Sequence, residues 1–260
     1  MMTRAAGCEL YYEASGQGPP LMFVHGFPLS GRMWQPTVER ISAAYRCIVP
    51  DLRGHGRSSA TPTADMARYA DDLAAVLDAV GERRPVVLVG LSMGGYIAFE
   101  FFRRHRQRVS ALVLADTRAG ADTQEARTKR EETAQAVEKG GSRVVADAMI
   151  DKLFAPGAAP SLRSEWHEIM SRTQPMGVAA ALRAMAARPD STPTLSKIDC
   201  PVLIVVGEHD TITPPDVHRD MHAAITGSRL EVIPDAGHMM PVEQPDAFAE
   251  VLTRFLTGLK

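Results

Sequence analysis

Residues 90–94 read Gly-Leu-Ser-Met-Gly, a G-x-S-x-G pattern closing the apolar run Val86–Val89. A serine hydroxyl is a poor nucleophile until a base takes its proton and a carboxylate orients that base. The flanking glycines suit a strained strand-to-helix turn that pushes the Ser92 hydroxyl out at a sheet edge. The helix that follows would aim free N–H groups and its positive dipole end at the same place. Eight histidines compete for the role of base. His238 stands in PDAGHMMPVEQP, just past an apolar run and before the last helix. His105 falls in a basic helix end and His167 in a long helical stretch, while His209 neighbours the acid and points elsewhere. His218 and His222, spaced i, i+4 with no third ligand nearby, read as a solvated helix face rather than a metal site. His25 and His55 read as structural members of glycine-flanked loops. Asp210, in VVGEHDTITPP, is the candidate acid, with Asp116 at the end of another apolar run as the alternative. The order Ser92, Asp210, His238 is one of the known chain orders of a nucleophile–acid–base triad. An oxyanion formed at Ser92 needs backbone donors placed in advance. Met93 N–H follows the nucleophile, and Phe27 N–H lies in the loop His25–Pro28, where Gly26 permits close approach. Phe27, Trp34 and Met239 are the side chains expected to line the substrate pocket.

These groups can meet only if the rest of the chain brings their loops to one edge. Nearly uninterrupted apolar runs recur at 20–26, 47–51, 85–90, 109–116, 201–207 and 229–235, and read as buried strands. The spacing predicts helices over 31–44, where Trp34, Val38 and Ile41 fall at i, i+4, i+7, and over 64–81, with Asp65 as cap and Gly81 as stop. Further helices are expected over 93–104 and 245–257. This alternation argues for an α/β fold with a mostly parallel, twisted sheet and helices on both faces. Right-handed crossovers then bring the carboxyl ends of the strands, where ligands bind, to one edge. Residues 5–16 alternate weakly and are expected to add an antiparallel edge. The stretch 119–190 contains no convincing strand and is rich in Ala, Arg, Glu and Met, with prolines as punctuation. It reads as a helical cap inserted into a core made of 1–118 and 191–260. Met149, Met170, Met176 and Met185 in the cap read as core filling, and Met239 and Met240 as neighbours of the site.

Composition narrows the partners. The chain has 260 residues, 45% apolar and 23% charged, with a formal charge of -2, which is ordinary for a globular protein. Its one basic cluster, Arg103 to Arg108, falls at a helix end, where the dipole favours it, and nucleic-acid binding is not expected. Cys8, Cys47 and Cys200 form no CxxC pair, and the start MMTRAAGCELYYE has no apolar leader segment, so a reduced, cytoplasmic setting is expected. Residues 85–99 carry no charge but are shorter than the roughly 20 residues of a membrane span. No nucleotide-binding glycine pattern is present, and neither cofactor nor metal is expected. The expected partner is a small-molecule ester. Oligomeric state is left open.

With these motifs in order, the chain resembles the α/β-hydrolase superfamily along nearly its whole length. HGFP (25–28) is similar to its oxyanion loop and DLRGHGRS (51–58) to a D-x-R-G-x-G-x-S loop. GLSMGG (90–95) matches the nucleophile elbow, GEHDTITPP (207–215) the acid loop and AGHMMPVEQP (236–245) the histidine loop. GLSMGG and LADTRAGADT (114–123) look most like small bacterial carboxylesterases, with enol-lactonases and cofactor-free haloperoxidases (perhydrolases) similar too. The resemblance implies a serine esterase, with lactonase or perhydrolase activity on the same triad as the alternative and a small-molecule receptor as a further reading. A lactonase for an anionic substrate would want an arginine such as Arg118 near the pocket. Arg53 and His55 read as loop-shaping rather than catalytic.

Overall fold

The computed structural model describes residues 1–259. Eight strands form one sheet: β1 (Met2–Ala5), β2 (Cys8–Ser15), β3 (Pro20–Val24), β4 (Arg46–Pro50), β5 (Val86–Leu91), β6 (Val109–Ala115), β7 (Val202–Gly207) and β8 (Arg229–Ile233). Their spatial order is β1-β2-β4-β3-β5-β6-β7-β8. The six strands from β3 onward run parallel, and β2 joins β4 antiparallel. The N-terminal edge is thus antiparallel as expected, but it is a hairpin, β1 with β2, because Gly7 at φ 76° turns the chain within the segment read as one strand.

Alternate residues of each inner strand point to opposite faces, and both faces are apolar. Met22, Val24, Leu88, Leu112 and Leu114 pack beneath α2 (Met66–Ala79) and α3 (Met93–Arg104). Leu21, Phe23, Val87, Val89 and Val113 face α1 (Gln35–Ile41) and α11 (Pro245–Thr257). The helix expected over 31–44 is shorter than its periodicity suggests. A 3-10 turn at Gly31–Trp34 precedes α1, which ends at Ile41. Asp65 caps α2 by accepting the Arg68 N–H at 2.6 Å.

Between β6 and β7 lie α4 (Gln124–Gly140), α5 (Arg143–Leu153), α6 (Pro160–Ser171), α7 (Pro175–Ala186) and the single turn α8 (Thr192–Leu195). The chain leaves and re-enters the sheet side by side, with Ser191 N–H donating to Ala119 O at 2.9 Å. Buried Arg188 reinforces this crossing through Gly120 O and the Asp122 carboxylate. After β7 come α9 (Pro215–Ala224) and, past β8, α10 (Met240–Glu243). Met170 and Met185 are core residues, as expected. Met176 is 46% exposed and is not. No helix among the described residues is long and apolar enough to cross a membrane.

The DLRGHGRS loop is a brace. Asp51 accepts the Gly31 N–H at 2.7 Å and the Arg57 N–H at 2.8 Å. Arg53 makes a two-pronged ion pair with Asp72 of α2, at 2.6 and 2.9 Å, and both side chains are buried. The arginines of the basic helix end are likewise paired, Arg104 with Asp71, Arg106 with Asp199 and Arg108 with Asp78.

Candidate active site

β5 runs straight into the serine. Ser92 sits at φ 55°, ψ -112°, a region that costs a residue with a Cβ on the order of 1–3 kcal/mol. The turn is held from outside. Ser92 N–H donates to Ala115 O at 2.9 Å, and the Thr117 hydroxyl donates to Ser92 O at 2.8 Å. Gly94 lets α3 start hard against β3, since a Cβ there would stand 2.3 Å from Val24 O. The Phe27 loop comes equally close. A Cβ on Gly26 would lie 3.4 Å from Ser92 Cβ.

The acid and the base meet. His238 Nδ1 donates to Asp210 Oδ2 at 2.8 Å, with both residues buried. Asp210 Oδ1 also accepts the N–H groups of Ile212 at 2.7 Å and Thr213 at 3.1 Å, and Oδ2 the Thr213 hydroxyl at 2.6 Å. Burial alone would raise this carboxyl. The charge and hydrogen bond of His238 and the donors of Thr213 outweigh it and hold the group at about 2. Asp210 therefore stays ionised, and with Nδ1 bound to it His238 keeps Nε2 for other work. Ser92 is half-buried, and its hydroxyl has no hydrogen-bond partner among the described residues. Asp116, the alternative acid, lies beside the pair. One of its oxygens is within 4.8 Å of Asp210 and of His238, but it makes no hydrogen bond to the imidazole. Burial and then the Asp210 charge push it well above the usual carboxylate range.

Two backbone donors are unengaged. Met93 opens α3, so its N–H lacks an intrahelical acceptor. Phe27 N–H has no acceptor among the described residues.

His25 and His55 are structural, as expected. His25 accepts the Leu52 N–H on Nε2 at 2.9 Å and donates from Nδ1 to Gly26 O at 2.8 Å, tying the Phe27 loop to the Asp51 loop. His218 departs from its expected place on a solvated face. It is buried, accepts the Thr117 N–H at 3.0 Å and donates to Pro214 O at 3.2 Å. These bonds require neutral rings. Burial lowers His25 and His218 to about 4 and His55 to about 3. The unfolded chain takes up these protons near pH 6.5 and the folded chain does so well below, so acidification favours unfolding. Through these rings stability is expected to fall from pH 6.5 to pH 4.5, by up to about 1.4 kcal/mol per pH unit per histidine, while the raised Asp116 carboxyl works in the opposite sense. Nitrogen NMR of labelled histidine should show all three rings neutral at pH 6, and an imidazolium at any of them would contradict the assignments.

Two expected pocket residues are core residues instead. Trp34 has no exposed surface and packs between Phe23 and Phe248, because the 3-10 turn that carries it sits between the sheet and α11. Met239 and Met240 are also fully buried. Phe27 alone of the three keeps accessible surface, 6%. Arg118 is committed to the acid loop through Ile212 O. A cavity of about 830 Å³ lies elsewhere, between the N-terminal hairpin and α6, and is lined by residues such as Tyr11, Arg57 and Arg172. Sequence reasoning missed Glu243, whose carboxylate accepts the Gly237 N–H at 2.8 Å and the Ala155 N–H at 2.7 Å. Its only signal was an acidic residue in the otherwise uncharged MMPVEQP.

A family described as alpha/beta hydrolase fold matches residues 19–245. A thermophilic esterase from Thermogutta terrifontis, solved with malate bound, superposes with a TM-score of 0.96 and 41% identity over 99% of this chain and 97% of that one. A pimeloyl-(acyl-carrier protein) methyl ester esterase of Chromobacterium violaceum is 28% identical over 95% of this chain and 98% of its own. The 3-oxoadipate enol-lactonase 1 of Acinetobacter baylyi is 27% identical, over 100% and 97% respectively. The chain belongs to the α/β-hydrolase fold family.

Proposed function

We propose that Ser92, His238 and Asp210 form the catalytic triad of a serine hydrolase that cleaves small carboxylic esters through an acyl-enzyme. The chain is an ester hydrolase. The observation that carries the serine mechanism is the buried His238–Asp210 bond at 2.8 Å on the sheet edge where the strained Ser92 turn emerges. His238 Nε2 takes the proton of Ser92 as its Oγ attacks the acyl carbon. The oxygen that becomes negative is met by the N–H groups of Phe27 and Met93. His238 then passes its proton to the leaving alcohol, and activates the water that releases the acid. Asp210 holds the imidazole with Nε2 unprotonated and stabilises the imidazolium. Apo-state distances between nucleophile and base commonly tighten only when substrate binds, which accords with the unpartnered Ser92 hydroxyl. The helices over 119–190 serve as a cap on the core, and the unpaired cysteines suit a cytoplasmic protein.

The enol-lactonase relative favours one second reading, cyclic esters on the same triad. There the alcohol stays attached to the acyl group and leaves with it. Incubation with a fluorophosphonate probe tests the mechanism common to both. One probe per chain is expected, on the peptide carrying Ser92, with parallel loss of p-nitrophenyl ester turnover. Labelling elsewhere with full activity retained would overturn it.

A further inference from the structure

The residues on either side of the base are fastened to the helical insertion rather than to the sheet alone. Met239 N–H donates to Leu153 O at 2.9 Å, at the end of α5. Gly237 N–H donates at 2.8 Å to one oxygen of Glu243, and the other oxygen takes the Ala155 N–H at 2.7 Å. Gly237 also packs on this segment, where a Cβ would stand 2.6 Å from Ala155 N. On the far side, Arg163 of α6 donates to Ala155 O at 2.6 Å. Glu243 itself sits one turn beyond His238, with its own N–H bonded to Met239 O at 3.0 Å.

We propose that Glu243 is a positioning residue that bridges the 153–155 segment of the cap to the His238 loop, so that cap and base move as one unit. A carboxylate can do this because it offers two acceptor oxygens to two fixed N–H donors. Each donor is a buried backbone group that would otherwise be left without a partner, and leaving it so is costly. Seating a substrate beneath the cap then sets the angle of the imidazole over Ser92. This inference rests on the triad reading above for its effect on rate. The bridge itself is independent of that reading.

Glu243→Gln has the same shape but only one acceptor, and its amide N–H would point at an N–H. Ala155→Pro removes the cap-side donor instead, and Phe154 at φ -121°, ψ 147° already has the backbone a residue before proline requires. Each variant is expected to lower kcat for a p-nitrophenyl ester about 10- to 100-fold, with KM changed less than about threefold. The double variant should be no slower than the slower single one, because both break the same link. Amide hydrogen exchange should rise together in 153–157 and 236–240 in each single variant, whether or not Ser92 is the nucleophile. Multiplicative kinetic effects, or exchange that rises in one segment and not the other, would overturn the bridge. Coupled exchange with unchanged kcat would overturn the effect on the base. Absence of fluorophosphonate labelling in the unaltered protein would instead count against the triad reading.

Discussion

Ser92→Ala is expected to lower kcat for a p-nitrophenyl ester by about 10⁴- to 10⁶-fold while leaving the thermal midpoint nearly unchanged. The oxygen is the only atom removed, and it holds no hydrogen bond to any described residue, so the fold loses little. Ser92→Gly separates chemistry from strain. It removes the same hydroxyl and also the Cβ that makes φ 55° costly. Glycine occupies that region freely, and relief of roughly 1 kcal/mol or more is expected, a rise of about 2–4 °C in a chain of this size. Glycine's larger unfolded-state freedom works against this gain, so the sign of the midpoint shift reads which effect is larger. The two variants should be equally inactive and differ only in stability. Calorimetry beside steady-state kinetics decides the matter. An unaltered or lower midpoint for Ser92→Gly than for Ser92→Ala would mean that the strain at the elbow is no larger than glycine's unfolded-state entropy. Retained turnover in either folded variant would remove Ser92 from the mechanism.

Much of the fold could be read from the chain because burial on two faces leaves a simple trace. Strands such as Val86–Leu91 and Val202–Gly207 have every position buried and therefore spell continuous apolar runs. Their ends were legible because glycine or a polar residue must follow once the strand leaves the core. The candidate site was legible in part for the same reason, since Ser92 follows Val86–Leu91 directly and Asp210 comes in the loop after Val202–Gly207, whereas His238 follows Arg229–Ile233, which is buried only at its last position. What local pattern could not supply was the identity of the far-side neighbour. His218 and His222 share a helix and a spacing, yet Thr117 N–H, a hundred residues away, decides that one is buried and the other is not. Trp34 sits on an apolar helix stripe that would serve equally for a pocket or for the core. Only the pairing of α1 with α11 settles that Phe248 covers it. Glu243 was illegible because its role is defined by two backbone donors, and a backbone N–H carries no sequence signature.

Asp210→Asn should cost nearly as much as loss of the serine, about 10⁴-fold in kcat, although it changes one atom. The reason lies in which oxygen has fixed partners. Oδ1 accepts two backbone N–H groups, from Ile212 and Thr213, and neither can turn away. The amide oxygen of asparagine must therefore take the Oδ1 position, which leaves the NH₂ group where Oδ2 was. There it faces His238 Nδ1 at about the present 2.8 Å. The Thr213 hydroxyl can rotate to accept from it, but the imidazole can respond only by giving up the Nδ1 proton. The neutral ring then carries its proton on Nε2, the nitrogen that must be empty to take the proton of Ser92. The variant should fold, bind substrate with little change in KM and fail at proton transfer. Nitrogen NMR of labelled histidine reads the tautomer directly, with Nδ1–H expected in the native protein and Nε2–H in the variant. If His238 kept its Nδ1 proton in folded Asp210→Asn, or if kcat fell less than about tenfold, Asp210 would not be the residue that orients the base.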